Sequence, residues 1–147
     1  MKKTIIFVCH GNICRSPAAE YILKDKLTKV HKLGEYEVIS RALSYEEIGN
    51  DIYNPMKKCL RDNGIPFSSH FATILDKNDA EMAYLIIYMD KENEYYLKSF
   101  SSYQNKIIPI YQYTKNITEI EDPWYSGNYQ KVVDEISICI DDLINHL

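Results

Sequence analysis

The sequence predicts an α/β fold, a single domain over residues 1–147 with a parallel sheet of four strands covered by helices on both faces. Three observations predict it. Short β-branched runs alternate along the chain with stretches of helical periodicity. The first run, Thr4 to Cys9, is apolar with little alternation, as expected of a strand buried on both faces. Proline follows a capping residue type at Ser16-Pro17 and again at Asn54-Pro55, a helix-start signature.

Taken in order, Thr4 to Cys9 is the first strand and Ser16-Pro17 opens a helix, with Ser16 as cap and Pro17 at the first helical position. Ala19, Ile22, Leu23, Leu27 and Val30 recur at helical spacing, and Gly34 is the expected terminator. Tyr36 to Ser40 reads as the second strand. Asn54 caps the next helix, which turns Met56, Cys59 and Leu60 inward and stops at Asn63-Gly64. Tyr84 to Met89 is the third strand, and Asp90 starts a polar helix carrying Tyr96, Leu97 and Phe100. Lys106 to Ile110 is the fourth, placed at a sheet edge by Pro109. Val132, Val133, Ile136, Ile140, Leu143 and Leu147 form the apolar stripe of a closing helix.

Composition narrows the function classes. Seventeen Lys+Arg stand against 21 Asp+Glu, a net charge of −4, and no basic run compensates locally, so nucleic acid and anionic membrane are not the expected partners. The apolar run Ile5 to Cys9 is far short of a membrane span, and His10-Gly11-Asn12 ends it too early for a signal peptide; the expected location is the cytoplasm. Four cysteines, none in a CxxC pair, suggest neither a disulfide framework nor a zinc site, and no metal or cofactor is expected. Cys59 and Cys139 sit on apolar helix sides and read as core, while His31 and His146 at helix ends carry no signal.

In a parallel α/β sheet, ligands bind beyond the carboxyl ends of the strands, after Cys9, Ser40, Met89 and Ile110. The first of these places holds Cys9-His10-Gly11-Asn12-Ile13-Cys14-Arg15-Ser16, a cysteine, five residues, an arginine and a helix start. Such a loop turns several backbone N–H groups inward, and with the positive end of the helix they form a nest for an oxyanion. Gly11 allows positive φ, and Asn12 is the next most tolerant residue type. Arg15 adds a planar fork that matches two phosphate oxygens. The same positive surroundings favour the anionic form of the Cys9 sulfur and make it a ready nucleophile. The absence of a Lys-Ser/Thr pair after the glycine excludes a nucleotide-binding P-loop. Cys-x5-Arg alone arises by chance; its place between an apolar strand and a Ser-Pro helix start gives it force.

The second feature is Asp122-Pro123-Trp124-Tyr125, after the fourth strand. Asp-Pro alone is a turn signal. On the same sheet edge as Cys9, the aspartate can protonate a leaving oxygen and later deprotonate a water.

With both motifs in place, the chain resembles the low-molecular-weight protein tyrosine phosphatase family over essentially its whole length. The resemblance is carried by Val8 to Pro17 and by Asp122 to Tyr125, with Ser40 to Asn50 similar to the family's second loop and Met89-Asp90 to its third strand end. It implies a sheet of strand order 2-1-3-4 and hydrolysis of phosphotyrosine monoesters in proteins or peptides through a cysteinyl-phosphate. The chain is expected to work as a monomer. Cys9 matches the nucleophile, Arg15 the phosphate clamp and Asp122 the general acid and base. His10, Gly11, Asn12, Ile13, Cys14, Arg15 and Ser16 match the phosphate-binding loop. Asn12 and Ser40 match a polar pair that holds the loop, Ser16 the hydroxyl that donates to the thiolate, and His70 and Asp90 a polar network behind Asn12. Cys14 matches a resolving thiol that would form a disulfide with oxidised Cys9; its other reading is an apolar filler. Ile13, Tyr45, Glu46, Trp124 and Tyr125 are the expected cleft residues. Glu46 stands where the family often has an aromatic, and Trp124 where it often has tyrosine, leaving Tyr125 as the phosphorylatable residue of that pair.

Three alternatives stay open. Phosphoarginine phosphatases of this family tend to carry threonine where Ile13 stands, and a branched apolar side chain suits an aromatic ring better. Arsenate reductase shares the fold and loop but needs two further thiols, and only Cys59 lies near the middle of the chain to supply one. A non-enzymatic phosphotyrosine-binding module would have no need of Cys9, Arg15 and Asp122 together.

Overall fold

The computed structural model describes residues 1–147. Four parallel strands, β1 (Lys3–Cys9), β2 (Tyr36–Ala42), β3 (Ala83–Tyr88) and β4 (Ile107–Pro109), form one sheet in the order β2-β1-β3-β4. The fold class and strand order expected from the sequence are those observed. β1 is central because it is apolar on both faces: Ile5, Ile6, Phe7 and Val8 are each fully buried. Alternation divides them between two cores. Ile5 and Phe7 join α1 (Arg15–Lys29), α2 (Asn54–Asp62) and α6 (Tyr129–Ile144) on one face. Ile6 and Val8 pack on the other face with Leu75, Ala80, Ile86, Tyr88 and Leu97. Pro109 lies in the edge strand, where its missing N–H leaves no gap in an interior ladder.

Several local expectations are corrected. Ser16 does not cap α1: the helix begins at Arg15 with no side-chain cap, and the Ser16 hydroxyl turns to Cys9 instead. Asn54 does not cap α2 either; it is the first helical residue, with Tyr53 at the cap position and Pro55 at the second helical position. Gly34 does not end α1, since the helix stops at Lys29 and the reversal falls on His31 at φ 59°. The polar helix after Asp90 divides into α4 (Lys91–Tyr96) and tight 3-10 turns over Leu97–Lys106, broken at Phe100 and Tyr103. Asp90 does cap α4, accepting from the Asn93 N–H at 2.8 Å.

Two short helices were not foreseen, α3 (Lys77–Met82) and α5 (Pro123–Ser126). For α3 the signal was present as a reciprocal capping box between Asp76 and Asp79. Strand limits differ by one or two residues from those expected: β2 runs on to Ala42, and β4 holds only Ile107–Pro109. No helix is long and apolar enough to cross a membrane.

Parallel strands put Cys9, Ala42, Tyr88 and Pro109 at one sheet edge. The long segment after β4 is drawn back to it by Ile110 N–H on Tyr88 C=O (2.8 Å) and Ile120 N–H on Met89 C=O (2.9 Å). That second bond delivers Asp122 to the mouth of the β1–α1 loop.

Candidate active site

The loop from Cys9 to Arg15 wraps the Cys9 sulfur in donors. The Asn12 N–H reaches Sγ at 3.3 Å, the Ser16 N–H at 3.4 Å and the Ser16 hydroxyl at 3.1 Å. Two amides and the start of α1 thus place partial positive charge around the sulfur of Cys9, a residue that is 3% exposed. The left-handed residue of the loop is Asn12, at φ 60°, and not Gly11, whose φ is not positive. A Cβ at Gly11 would meet Cγ of Glu47 at 3.4 Å, an ordinary contact.

Asn12 is wholly buried and anchored on every polar atom of its side chain. Its Nδ2 donates to Ser16 Oγ at 2.7 Å and Ser40 Oγ at 3.0 Å, while Oδ1 accepts from the Thr73 N–H at 3.1 Å. His70 Nε2 donates to the Asn12 carbonyl at 2.6 Å, and the His70 N–H is held by Asp51 at 3.1 Å. A hydrogen bond from Lys57 keeps the Asp51 carboxyl below its ordinary range. His70 therefore lies behind Asn12, on its carbonyl.

Asp90 does not. Its Oδ2 accepts from Arg15 Nη1 at 2.6 Å, and the same nitrogen donates to the Ile120 carbonyl at 2.9 Å. Asp90 thus steers the guanidinium and has no hydrogen bond to Asn12. Burial alone would weaken the Arg15 charge, but Cys9 and Asp90 outweigh it and hold the guanidinium above its ordinary value. With Nη1 committed, the remaining guanidinium donors are left for a ligand, and Nη2 lies 3.7 Å from Asp122 Oδ2. The other Asp122 oxygen caps α5 by accepting from the Trp124 N–H at 3.0 Å, which fixes the carboxyl at the rim.

A cavity of about 210 Å³ opens above these groups. Cys9, Cys14 and Arg15 meet in it with Asp122, Trp124 and Tyr125. Trp124 leans on Tyr53, their ring centres 4.8 Å apart, and Tyr125 is 85% exposed. His10, Ile13 and Glu46 line the cavity too, with His10 Nε2 2.6 Å from Glu46 Oε2. One expectation is corrected here: Tyr45 faces solvent at 77% exposure and is not in the cavity wall, where Glu47 stands instead. The Asn12 and Ser16 side chains lie in the support network, and their N–H groups face the Cys9 sulfur.

Burial, reinforced by Cys9 and Asp122, pushes the Cys14 thiol far up, so it stands beside the sulfur nest as a neutral thiol. All four cysteines are free and buried. No group of three or more His, Cys, Asp or Glu side chains is placed to hold a metal ion.

Over residues 4–147 the chain matches the family model of the low molecular weight phosphotyrosine protein phosphatases. It belongs to that family. The low molecular weight protein-tyrosine-phosphatase YfkJ of Bacillus subtilis is 32% identical over 96% of this chain and 93% of its own. The enzyme PtpA of Staphylococcus saprophyticus is 30% identical over 98% and 93%. The crystal structure of YfkJ superposes with a TM-score of 0.94, covering 99% of this chain and 94% of that one at 31% identity. The YwlE arginine phosphatase of Geobacillus stearothermophilus reaches 0.84 over 98% and 92% at 26% identity. The chain is therefore a phosphatase with the fold of this family. Sequence reasoning missed Glu20, Glu47, Asp51, Tyr53 and Ile120, which reach the site by backbone bonds, stacking or long-range contacts and carry no local motif.

Proposed function

We propose that this phosphatase hydrolyses phosphotyrosine in proteins through a cysteinyl-phosphate on Cys9. The observation that carries the reading is the sulfur held by two amides and a hydroxyl at 3.1–3.4 Å, in one cavity with the Arg15 guanidinium and the Asp122 carboxyl. In the first step Cys9 Sγ attacks phosphorus, the bond from phosphorus to the phenolic oxygen breaks, and Asp122 gives that oxygen a proton. In the second, Asp122 takes a proton from water, the water oxygen attacks phosphorus, and the P–S bond breaks to release inorganic phosphate. Arg15 and the loop amides hold the equatorial oxygens in both steps, and Asp90 keeps the guanidinium aimed.

The phosphotyrosine preference is supported by the apolar wall of Ile13, Trp124 and Tyr125, against which a phenyl ring can lie. A phenol, with a parent pKa of about 10, also leaves more readily than an alkanol. Ile13 has no hydroxyl to offer a guanidinium, which weighs against phosphoarginine despite the similarity to YwlE. Cys59 lies outside the cavity, hydrogen-bonded to Gln130, and does not complete the thiol relay of an arsenate reductase. Cys14 belongs to the same proposal: once peroxide has oxidised Cys9 to a sulfenic acid, condensation with the Cys14 thiol would release water and link the two sulfurs.

Phosphate release from peptides carrying phosphotyrosine, phosphoserine or phosphoarginine, with Cys9→Ser as control, tests the reading. Phosphotyrosine is expected to lead by about tenfold or more in kcat/KM. A lead for phosphoarginine, or thioredoxin-dependent turnover of arsenate, would replace it.

A further inference from the structure

We infer that Glu20 is a positioning residue of the active site: by taking the Ser40 hydrogen it keeps Ser40 Oγ an acceptor for Asn12, and so anchors the turn that aims its donors at Cys9. This rests on the proposed function only for what the Cys9 sulfur goes on to do.

The inference comes from accounting for each hydrogen in a buried chain of side chains. Glu20, in the middle of α1, is 7% exposed. Its Oε1 accepts from the Ser40 hydroxyl at 2.8 Å, and its Oε2 is held by Lys24 Nζ at 2.6 Å. The Thr73 N–H can only donate, so the Asn12 atom facing it is the oxygen. Both hydrogens of Asn12 Nδ2 then go to Ser16 Oγ and Ser40 Oγ, and both hydroxyls are acceptors at those contacts. Each hydroxyl keeps one hydrogen with one place to go: Ser16 to the Cys9 sulfur, Ser40 to Glu20. The chain therefore runs outward from Asn12 to the Cys9 sulfur at one end and the Glu20 carboxylate at the other.

Removing the acceptor at the Glu20 end changes the balance. The Asn12 amide cannot turn over to take the Ser40 hydrogen, because its NH2 would then face the Thr73 N–H, donor against donor. Ser40 must instead leave Asn12 to place its hydrogen elsewhere, and Asn12 loses one of the anchors that hold its own N–H and the Ser16 hydroxyl on the sulfur. Glutamine does not replace Glu20 here. Lys24 can only donate, so it draws the Gln oxygen and leaves the Gln amide nitrogen, another donor, facing Ser40. A carboxylate satisfies both neighbours at once.

The test is the alkylation rate of Cys9 by iodoacetamide at fixed neutral pH, followed by mass spectrometry at the Cys9 site, with thermal melting recorded for each variant. Glu20→Gln is expected to slow alkylation and lower kcat together by about three- to tenfold, with KM little changed. Ser40→Ala should slow alkylation by a similar factor and carries the test alone if Glu20→Gln does not fold. In the Ser40→Ala background, Glu20→Gln should add less than about twofold, because Ser40 links the two sites. An unchanged alkylation rate in either single variant, or fully additive losses, would overturn the inference. Alkylation needs no phosphate ester, so failure here leaves the phosphatase reading intact, and failure of phosphotyrosine turnover leaves this one intact.

Discussion

Asp122→Asn is expected to lower kcat/KM, which reports the leaving-group step, for phenyl phosphate by about 10²–10⁴, the range for losing a positioned general acid. The loss should shrink for para-nitrophenyl phosphate, whose leaving group departs without a proton. The fall in rate toward alkaline pH, where an acid has lost its proton, should disappear from the variant's profile. These expectations follow from the placement of the carboxyl: one oxygen is tied to the Trp124 N–H at 3.0 Å, and the other lies 3.7 Å from Arg15 Nη2 at the rim of the cavity. Asparagine keeps an acceptor for the Trp124 amide and so preserves the start of α5, which isolates the proton from the geometry. Equal losses on both esters, with the alkaline limb retained, would remove Asp122 from the acid role.

Arg15→Lys is expected to cost about 10²–10³ in kcat/KM while the protein still folds. The guanidinium serves two directions at once. Nη1 holds Asp90 at 2.6 Å and the Ile120 carbonyl at 2.9 Å, which leaves the other guanidinium donors for a phosphate. A lysine ammonium is a single point with one set of three donors, so it can answer Asp90 or a phosphate but cannot fork onto both. The loss should fall on phosphate affinity as well as turnover, and inhibition by inorganic phosphate should weaken in parallel. Retention of full kcat/KM would mean that the loop amides and the helix start suffice for the dianion.

What the sequence made legible was local. Cys9, Arg15 and the turn between them lie within one loop, and the helix start beside them carries its own residue signature. The double-sided burial of β1 is visible in its unbroken apolar run, and the edge position of β4 in Pro109. Contacts set by packing were misread or unseen. Ser16 has the residue type of a helix cap, but a competing partner, the Cys9 sulfur at 3.1 Å, takes its hydroxyl. Asp90 meets Arg15 across 75 residues, and no spacing announces that pair. Tyr45 and Glu47 lie two residues apart in one loop, and no local signal says which of them enters the cavity wall. Glu20 looks like an ordinary helical glutamate until β2 brings Ser40 to it.

The most direct measurement mixes the protein rapidly with a phosphotyrosine peptide, quenches by denaturation within the first turnover, and maps the phosphoryl group by peptide mass spectrometry. The account predicts phosphate on Cys9 alone, appearing in step with the first equivalent of dephosphorylated peptide and absent in Cys9→Ser. Full turnover with no phosphoryl group on Cys9, or with one on another residue, would contradict it.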